Sequence, residues 1–470
     1  MHVSTLWGDY SIGGFGESAK QFVDFLADAG FTYWQVLPFG VTDDCNSPYK
    51  SYSAFAGNPY FIDLEILFED GLITRGELDS LRQKTPYVCE FDFLRETRLP
   101  ILKKASSRVG EDMRKKIEAF IEDNPKLRDF CVFMTLKERG DRSADSLDAE
   151  ACDEALLFTW KFIQYEFFLQ WKEIKEYANR RGIFIIGDIP IYVSSDSADV
   201  VSDREIFDLD AKGRLKNAAG VPPDYFSEDG QLWGNPLYDW KKMKENSYAW
   251  WKERVKHNLD IFDGVRIDHF RGFESFWSVP AGAESAKEGK WRKGGGKRFI
   301  DEIRKVSGNS LVIAEDLGEI TPAVSELVRY SGFPGMRVFQ FAFLGDTSSP
   351  HLPHNYVENC VAYTGTHDNN TLLGYLWELD EHTLRRVFDY CNYRGSDKDE
   401  ACRYVIKTML ASHAGTVIFP IQDILGYGKD TRMNIPGSAK GNWQIRFTSE
   451  QINSIDRGEM RTLNELYGRI

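Results

Sequence analysis

Short apolar runs rich in β-branched residues recur along the chain, and polar or glycine-containing segments close each of them. Runs of this length and composition are typical of buried strands. The runs are HVSTL (2–6), YWQVLP (33–38), IFIIGDIPIYV (183–193), DGVRID (263–268), LVIAEDL (311–317), GMRVFQFAF (335–343), VAYTGTHD (361–368) and TVIFPIQDIL (416–425). Helical signals lie between several of them, which predicts a parallel sheet covered by helices. The eight runs together predict an α/β fold closed into a (β/α)8 TIM barrel.

The clearest helix signal follows the first run. Ser18 and Gln21 have the spacing of a capping box, and Gly30 is a typical C-terminal stop. Thr321 followed by Pro322 predicts a second helix start. Between Ser18 and Gly30, an apolar stripe with helical spacing contains Phe22, Phe25, Leu26 and Ala29.

Two intervals are too long for the simple strand and helix units of a barrel. Residues 64–180 are charged and helix-like, and residues 194–255 are rich in Gly, Pro, Asp and aromatic residues with little periodicity. We expect a helical insertion and a loop-rich cover, which form subdomains around the C-terminal face of a single catalytic domain spanning 1–470. The helical interval ends in an apolar stripe of Trp160, Ile163, Phe167, Trp171 and Ile174.

Composition narrows the range of partners. Hydrophobic residues make up 42% of the chain and charged residues 28%, as in ordinary globular proteins. The formal net charge of −14 argues against nucleic acid as a partner, because a phosphate backbone requires a basic surface. Aromatic residues reach 14%; most are expected in the core, and the remainder offer flat faces to sugar rings.

Cysteine and histidine usage gives no sign of disulfides or metal. The 7 cysteines are scattered without a CxxC pair, which fits a reducing cytoplasm. His351 and His354 have a metal-like spacing, but Pro350 and Pro353 break any helix there and no third ligand is evident. No apolar stretch of about 18 residues and no export signal occur. We therefore expect a cytoplasmic protein with no metal and no membrane association.

Acidic residues end several of the expected strands. In a closed parallel barrel, catalytic groups collect at the C-terminal ends of the strands. Any one of these carboxylates could instead cap a helix or anchor a loop, whereas several at one rim predict a catalytic site. The residues concerned are Asp188, Asp268, Glu315 and Asp368.

The surroundings of these acids suggest different roles. In GVRID the strand pleat places Arg266 and Asp268 on one face, where the guanidinium favours an ionised nucleophile, although a structural salt bridge has the same pattern. Glu315 follows an apolar run, where desolvation and neighbouring carboxylates raise the pKa of a carboxyl group, as a general acid requires. His367 and Asp368 can bind sugar hydroxyls. Cleavage or transfer of a glycosidic bond needs such a pair of carboxyl groups.

Several segments also carry a family resemblance. Four resemble, in order, the blocks of the α-amylase clan: GDIPIYV (187–193), GVRIDHFRG (264–272), AEDLG (314–318) and THDN (366–369). Longer segments resemble the amylomaltase family of 4-α-glucanotransferases, or disproportionating enzymes: SPYKSYSAFAGNPYFID (47–63), GVPPDYFSEDGQLWGNPLYDW (220–240) and GFPGMRVFQFAF (332–343). The resemblance spans nearly the whole chain.

This resemblance implies a retaining double displacement on maltooligosaccharides and glucose, without a cofactor. It implies that Asp268 is the nucleophile, Glu315 the acid and then the base, and Asp368 the stabiliser of the transition state. Arg266 and His367 would support the sugar at the reacting subsite. Further residues resemble substrate contacts in the loops over the cleft, namely Tyr49, Asp224, Gln231 and Trp233.

Two other functions remain open at this point. An α-amylase-type glucan hydrolase would use the same three acids with water as the acceptor. A transferase must admit a sugar hydroxyl and keep water out, which the loop around Tyr225, Phe226 and Trp233 could do by covering the cleft. A non-catalytic glucan-binding protein could keep the fold, but its catalytic acids would tend to be lost, and here all three are present. The oligomeric state is left open.

Overall fold

The computed structural model describes residues 1–42, 45–140, 147–223, 228–438 and 440–470. The strands are β1 Tyr33–Gln35, β2 Phe184–Ile189, β3 Asn217–Val221, β4 Gln231–Pro236, β5 Gly264–Ile267, β6 Ser275–Pro280, β7 Lys290–Lys293, β8 Leu311–Ala314, β9 Gly335–Val338, β10 Cys360–Tyr363 and β11 Thr416–Ile418. The α-helices are α1 Glu17–Asp28, α2 Leu64–Glu69, α3 Arg75–Asp79, α4 Phe91–Ser107, α5 Glu111–Glu122, α6 Pro125–Glu138, α7 Glu154–Arg180, α8 Ala198–Ser202, α9 Trp240–Glu245, α10 Ala249–Ile261, α11 Gly296–Ser307, α12 Pro322–Ser331, α13 Leu372–Glu378, α14 Glu381–Tyr390, α15 Lys398–Leu410, α16 Ile421–Leu425, α17 Ser449–Asn453 and α18 Arg457–Leu466.

Parallel strands form the central sheet. In the described chain it has 7 strands, in the order β1-β2-β5-β8-β9-β10-β11. Asp188 of β2 pairs in register with Arg266 of β5, so the carboxyl ends of these strands are level. Tyr363 of β10 donates a hydrogen bond of 3.0 Å to the side-chain oxygen of Gln35 on β1, which shows that the two ends of the sheet curve towards each other. The sheet is a nearly closed barrel, and the expected fold class is confirmed.

The first expected strand, HVSTL (2–6), is wrong. Val3–Thr5 is a 3-10 helix, and the Thr5 hydroxyl donates to the carbonyl of His2 at 2.6 Å. Such local hydrogen bonds compete with strand pairing, because they give the backbone a partner within its own turn. The segment nevertheless lies beside β1, since His2 Nδ1 accepts a hydrogen bond of 3.1 Å from the amide of Leu37. The barrel therefore has seven strands in the described residues rather than the eight expected.

Helices precede most barrel strands and bury an aromatic core against them. The Phe39 ring centroid lies 4.7 Å from that of Trp171 on α7 and 5.2 Å from that of Phe262. The expected stripe of α7 is buried along its whole length. Most of the large aromatic content therefore serves packing, as the composition suggested.

The helix signals are confirmed with one exception. Thr321 caps α12 by accepting from the amide of Val324, and Gly30 follows α1 with a φ of +74°. The capping box at Ser18 is wrong, because α1 begins at Glu17 and its N-cap is Gly16. A Cβ atom on Gly16 would lie 1.9 Å from a carboxylate oxygen of Asp63, so close packing explains why glycine stands there.

The two long intervals have different structures. Residues 64–180 contain the helices α2 to α7, with α4, α5 and α6 packed against α7. Residues 194–255 contain β3 and β4, which join β6 and β7 in an antiparallel sheet of order β4-β3-β6-β7. These two strands were not predicted, because NAAGV (217–221) and QLWGNP (231–236) are rich in residues that disfavour strands. Pairing with the neighbouring strands stabilises them despite this composition.

None of the helices in the described ranges combines the length and apolar character that crossing a membrane requires.

The packing around Gly187 on β2 can be tested by adding one methyl group to this residue. An added Cβ atom would lie 2.2 Å from the ring of Phe262, which is buried in the aromatic core. We expect Gly187→Ala to lower the free energy of unfolding by about 1–3 kcal/mol through overpacking. Chemical denaturation followed by tryptophan fluorescence measures this change.

Gly76→Ala on α3 is the matched control, because no atom lies within 4 Å of its added Cβ. This control should be neutral or stabilising by about 0.4–1 kcal/mol, since alanine restricts the unfolded chain. Equal unfolding free energies for the two variants would show that Gly187 is not closely packed against Phe262.

Candidate active site

A buried arginine joins two acids at the carboxyl end of the barrel. Arg266 Nη1 donates to both carboxylate oxygens of Asp188, at 2.9 and 2.8 Å, and Nη2 donates to Asp268 Oδ1 at 2.9 Å. The side chains of Arg266 and Asp188 are 6% and 1% exposed, whereas that of Asp268 is 27% exposed. Asp268 is therefore the member of the group that solvent reaches.

Burial and charge oppose each other in this group. Burial raises the pKa of Asp188 to about 6, against the lowering effect of the Arg266 guanidinium. Burial alone would lower the pKa of Arg266, but the two carboxylates more than compensate and hold it well above its ordinary value. At neutral pH the group is thus an arginine cation between two acids.

Glu315 lies beside this group in a different environment. It directly follows β8, is 8% exposed, and accepts from the backbone amides of His269 at 2.7 Å and Leu317 at 2.8 Å. Burial raises the pKa of Glu315 to about 7, with a further increase from Asp268, while Arg266 and the two amides oppose the rise. A substantial fraction of this carboxyl group therefore keeps its proton at neutral pH, as was expected for a general acid.

Backbone geometry brings Glu315 next to Asp268. His269 has left-handed torsion angles, with φ 48° and ψ 47°, which are uncommon for a residue other than glycine. Its amide can therefore point to Glu315 directly after Asp268 in the chain. Local strain of this kind is typical of functional sites.

The loop after β10 extends the network on the other side. Tyr49 donates a hydrogen bond of 2.7 Å to Asp188, and its hydroxyl lies 3.4 Å from Nδ1 of His367. The rings of Tyr49 and His367 are stacked, with centroids 4.9 Å apart. Asp368 follows His367, and its side chain is 48% exposed. One connected group thus contains Asp268, Arg266, Asp188, Tyr49, His367 and Asp368.

The antiparallel sheet supplies aromatic and amide groups to the same region. Trp233 and Gln231 lie on β4, where the indole Nε1 of Trp233 donates to the Gln231 side chain at 3.1 Å. The Trp233 ring lies 5.0 Å, centroid to centroid, from the ring of His269. Asp224, together with Tyr225 and Phe226, lies outside the described residues.

Sequence reasoning missed two residues that shape the site. Asn434 donates to Asp368 Oδ1 at 2.6 Å, and His269 connects Glu315 with Trp233. Neither position has a distinctive local pattern, because the Asn434 contact spans 66 positions and the role of His269 depends on its backbone amide. Asp188 was recognised at a strand end, but its contact with Arg266 required the register of β2 and β5.

His351 and His354 do not belong to this site. His351 Nδ1 accepts from the amide of Val338, and His354 Nδ1 lies 2.9 Å from the hydroxyl of Tyr390. Among the described residues, no group of three or more His, Cys, Asp and Glu side chains is arranged to hold a metal ion.

Comparison with known proteins identifies the family. Residues 1–452 match the family model described as 4-alpha-glucanotransferase, glycosyl hydrolase family 77. The chain belongs to the 4-α-glucanotransferase family. It is 42% identical to the 4-alpha-glucanotransferase of Clostridium butyricum, with 100% of both chains covered. It is 38% identical to the Thermus thermophilus enzyme of the same name, covering 100% of this chain and 98% of that one.

Solved structures of this family have the same fold. The amylomaltase from Streptococcus agalactiae in complex with acarbose matches with a TM-score of 0.94 and 36% identity, over 100% of this chain and 98% of that chain. The amylomaltase from Corynebacterium glutamicum matches with a TM-score of 0.77 over 99% of this chain and 74% of that chain. At 17% identity, the second match supports the fold alone. The suspected resemblance to the 4-α-glucanotransferases is confirmed.

Removal of Arg266 tests the central ion group. Arg266→Met leaves Asp188 buried without its cation, so we expect the free energy of unfolding to fall by about 3–5 kcal/mol. A buried carboxyl group without its cation keeps its proton to higher pH in the folded state than in the unfolded state. Because the unfolded chain then binds fewer protons, the stability of the variant decreases further as the pH rises from about 4. Urea denaturation at several pH values measures both effects.

Arg337→Met provides the comparison, since Arg337 pairs with Asp316 at 3.1 Å with side chains 20% and 9% exposed. We expect a smaller loss, because solvent screens this pair more. A loss for Arg266→Met no greater than that for Arg337→Met would contradict the central role of the Arg266 group.

Proposed function

We propose that this 4-α-glucanotransferase transfers part of a maltooligosaccharide, cut at an α-1,4 bond, to the 4-hydroxyl of glucose or another maltooligosaccharide. The configuration at the anomeric carbon is retained, because two displacements occur in sequence. The observation that carries this proposal is the contrast between two neighbouring acids. Asp268 is partly exposed to solvent and paired with Arg266, whereas Glu315 is buried, which raises its pKa to about 7.

In the first displacement, a carboxylate oxygen of Asp268 attacks the anomeric carbon of the donor. The bond to the leaving 4-oxygen breaks, and the carboxylic acid of Glu315 gives its proton to that oxygen. The reducing-end fragment leaves, and the rest of the glucan is bound to Asp268 as an ester. Arg266 supports this step because it fixes the orientation of the attacking carboxylate.

In the second displacement, Glu315 acts as the base. Its carboxylate takes the proton of the acceptor 4-hydroxyl, whose oxygen attacks the anomeric carbon and releases Asp268. The new α-1,4 bond replaces the ester, so charge and protons return to their starting positions. Carboxyl groups perform every step, and the proposed reaction therefore requires no cofactor and no metal.

The remaining residues of the site hold the sugar. We assign Asp368 to the sugar hydroxyls of the reacting ring, where a carboxylate stabilises the positive charge that develops in the transition state. Further support for the glucan comes, in this proposal, from Tyr49, Asp224, Gln231, Trp233, Arg266 and His367. The stacked rings of Tyr49 and His367 give this side of the site a rigid wall.

We also propose that residues 1–470 act as one catalytic domain, with residues 64–180 and 194–255 as insertions around the barrel. A cytoplasmic location is supported by the cysteines, which are scattered along the chain without a CxxC pair. The proposed partners are the maltooligosaccharide and glucose substrates, with neither nucleic acid nor membrane.

Maltotriose as the only substrate tests the proposed function. Transfer produces glucose together with maltooligosaccharides longer than maltotriose, because the maltosyl or glucosyl group passes to a second sugar. Chromatographic separation of the products measures this. Glucose and maltose alone would mean that water is the acceptor and that the enzyme is a hydrolase.

Asp268→Asn is the matched variant in the same assay, since it removes the nucleophilic oxygen and changes little in volume. Turnover should fall by several orders of magnitude. The circular dichroism spectrum should match that of the parent enzyme because Asp188 still pairs with Arg266, whereas the loss of the second negative charge should lower the melting temperature. Longer products at the parent rate would contradict the assignment of Asp268.

The raised pKa of Glu315 predicts a pH dependence. The first displacement needs the protonated acid, so kcat/KM for the donor should fall about tenfold per pH unit above about 7. Glu315→Gln should remove this decrease of kcat/KM above pH 7 and lower kcat/KM for maltotriose by about 10²–10⁴-fold. Initial rates measured between pH 5 and pH 9 give both quantities.

A donor that needs no acid provides the control for Glu315. Fluoride leaves an α-maltosyl fluoride without receiving a proton, so formation of the enzyme ester should survive in Glu315→Gln. If Glu315→Gln lowers the rate of ester formation equally with maltotriose and with α-maltosyl fluoride, Glu315 is not the acid.

A further inference from the structure

Asp368 needs support, because it lies on an exposed loop rather than on a strand. Its side chain is 48% exposed, and residues 366–369 form a turn after β10. An aspartate so placed has several rotamers within reach of solvent. The proposed role of Asp368 requires one of these, so the surroundings must select it.

Asn434 provides this selection. Its side-chain nitrogen Nδ2 donates to Asp368 Oδ1 at 2.6 Å, and its backbone amide donates to the carbonyl of His367 at 3.1 Å. Nε2 of His367 lies 3.4 Å from the same oxygen, Oδ1. In the described part of the chain, Oδ2 of Asp368 accepts no hydrogen bond, which leaves this oxygen for a sugar hydroxyl.

Arg432 holds the two segments together. Nη2 of Arg432 donates to the backbone carbonyl of Asp368 at 2.6 Å, and Nε donates to the carbonyl of Asn434 at 2.8 Å. One guanidinium thus bridges the loop that contains the acid and the loop that contains its partner. Further along, the amide of Trp443 donates to the carbonyl of Met433 at 2.8 Å and closes the second loop.

We propose that Asn434 is a positioning residue for the proposed transfer reaction, which fixes Asp368 through Oδ1 and directs Oδ2 to the sugar. The inference rests on the proposed role of Asp368. An amide suits this task, because it donates a hydrogen bond to the carboxylate without a positive charge that would compete with the charge of the transition state.

Asn434→Ala tests the proposal through kinetics. The loss of a hydrogen bond to a charged group should lower kcat and kcat/KM together by about 10- to 100-fold, with little change in KM, because Asp368 acts most strongly in the transition state. Asn359→Ala is the control: Asn359 is exposed, lies before β10 at the opposite end of the barrel, and donates a comparable bond of 3.2 Å to the carbonyl of Gly332. This control should retain the parent kinetics.

Asn434→Asp should change the pH profile of activity, which a purely structural role of Asn434 would leave unchanged. Two carboxyl groups at hydrogen-bond distance share one proton, so at low pH the new acid donates to Asp368 as asparagine does. As the pH rises the proton leaves, the two carboxylates repel each other, and activity should fall below that of the parent enzyme. A pH profile that matches the parent at every pH would overturn the proposal, and this variant decides the question if the alanine variant fails to fold.

A double-mutant cycle separates this inference from the proposed function. In an Asp368→Asn background, Asn434→Ala should cause no further loss of activity, because the Asn434 side chain acts only through the carboxylate of Asp368. Parent activity in Asp368→Asn alone would refute the role of Asp368 itself. A strong loss in Asp368→Asn with parent kinetics in Asn434→Ala would refute the positioning role and leave the proposed function intact.

Discussion

The site depends on one buried cation. A guanidinium that is almost completely removed from water, such as that of Arg266, is stable only if charged partners replace the lost hydration. Asp188 and Asp268 are those partners, at 2.8 to 2.9 Å. Because Arg266 lies on β5 and Asp188 on β2 in direct register, the folding of the barrel itself forms the pair. The orientation of Asp268 is therefore a consequence of barrel assembly and does not require substrate.

The same cation separates the properties of the two neighbouring acids. Asp268 contacts Arg266 directly, whereas Glu315 accepts hydrogen bonds from two backbone amides within the described residues and lies in a desolvated position. Burial therefore dominates for Glu315 and raises its pKa to about 7. Two carboxyl groups from adjacent strands thus have different surroundings, a cation beside Asp268 and a desolvated position for Glu315, which suit the nucleophile and the acid of the proposed double displacement.

Much of this could be predicted from the sequence, because parallel strands place their carboxyl ends at one rim. That rule located Asp268, Glu315 and Asp368 from their positions after apolar runs. Strand identification from apolar runs failed for HVSTL (2–6), where the Thr5 hydroxyl bonds locally. It also failed for β3 and β4, whose segments contain glycine, asparagine and proline and form strands through pairing with their neighbours. It also could not predict Asn434, because no local pattern connects it with a carboxylate 66 positions away.

The unpredicted sheet explains how residues 194–255 reach a site at the carboxyl end of the barrel. Side chains on a strand alternate between faces, so Gln231 and Trp233 on β4 share one face while Leu232 has the other. Leu232 is 44% exposed, whereas Trp233 packs edge-on against His269, the residue whose amide holds Glu315. A change in the position of Trp233 would therefore alter its ring contact with His269. Since His269 also follows Asp268 directly, Trp233 of segment 194–255 contacts the strained residue that lies between Asp268 and Glu315, the two acids proposed to react.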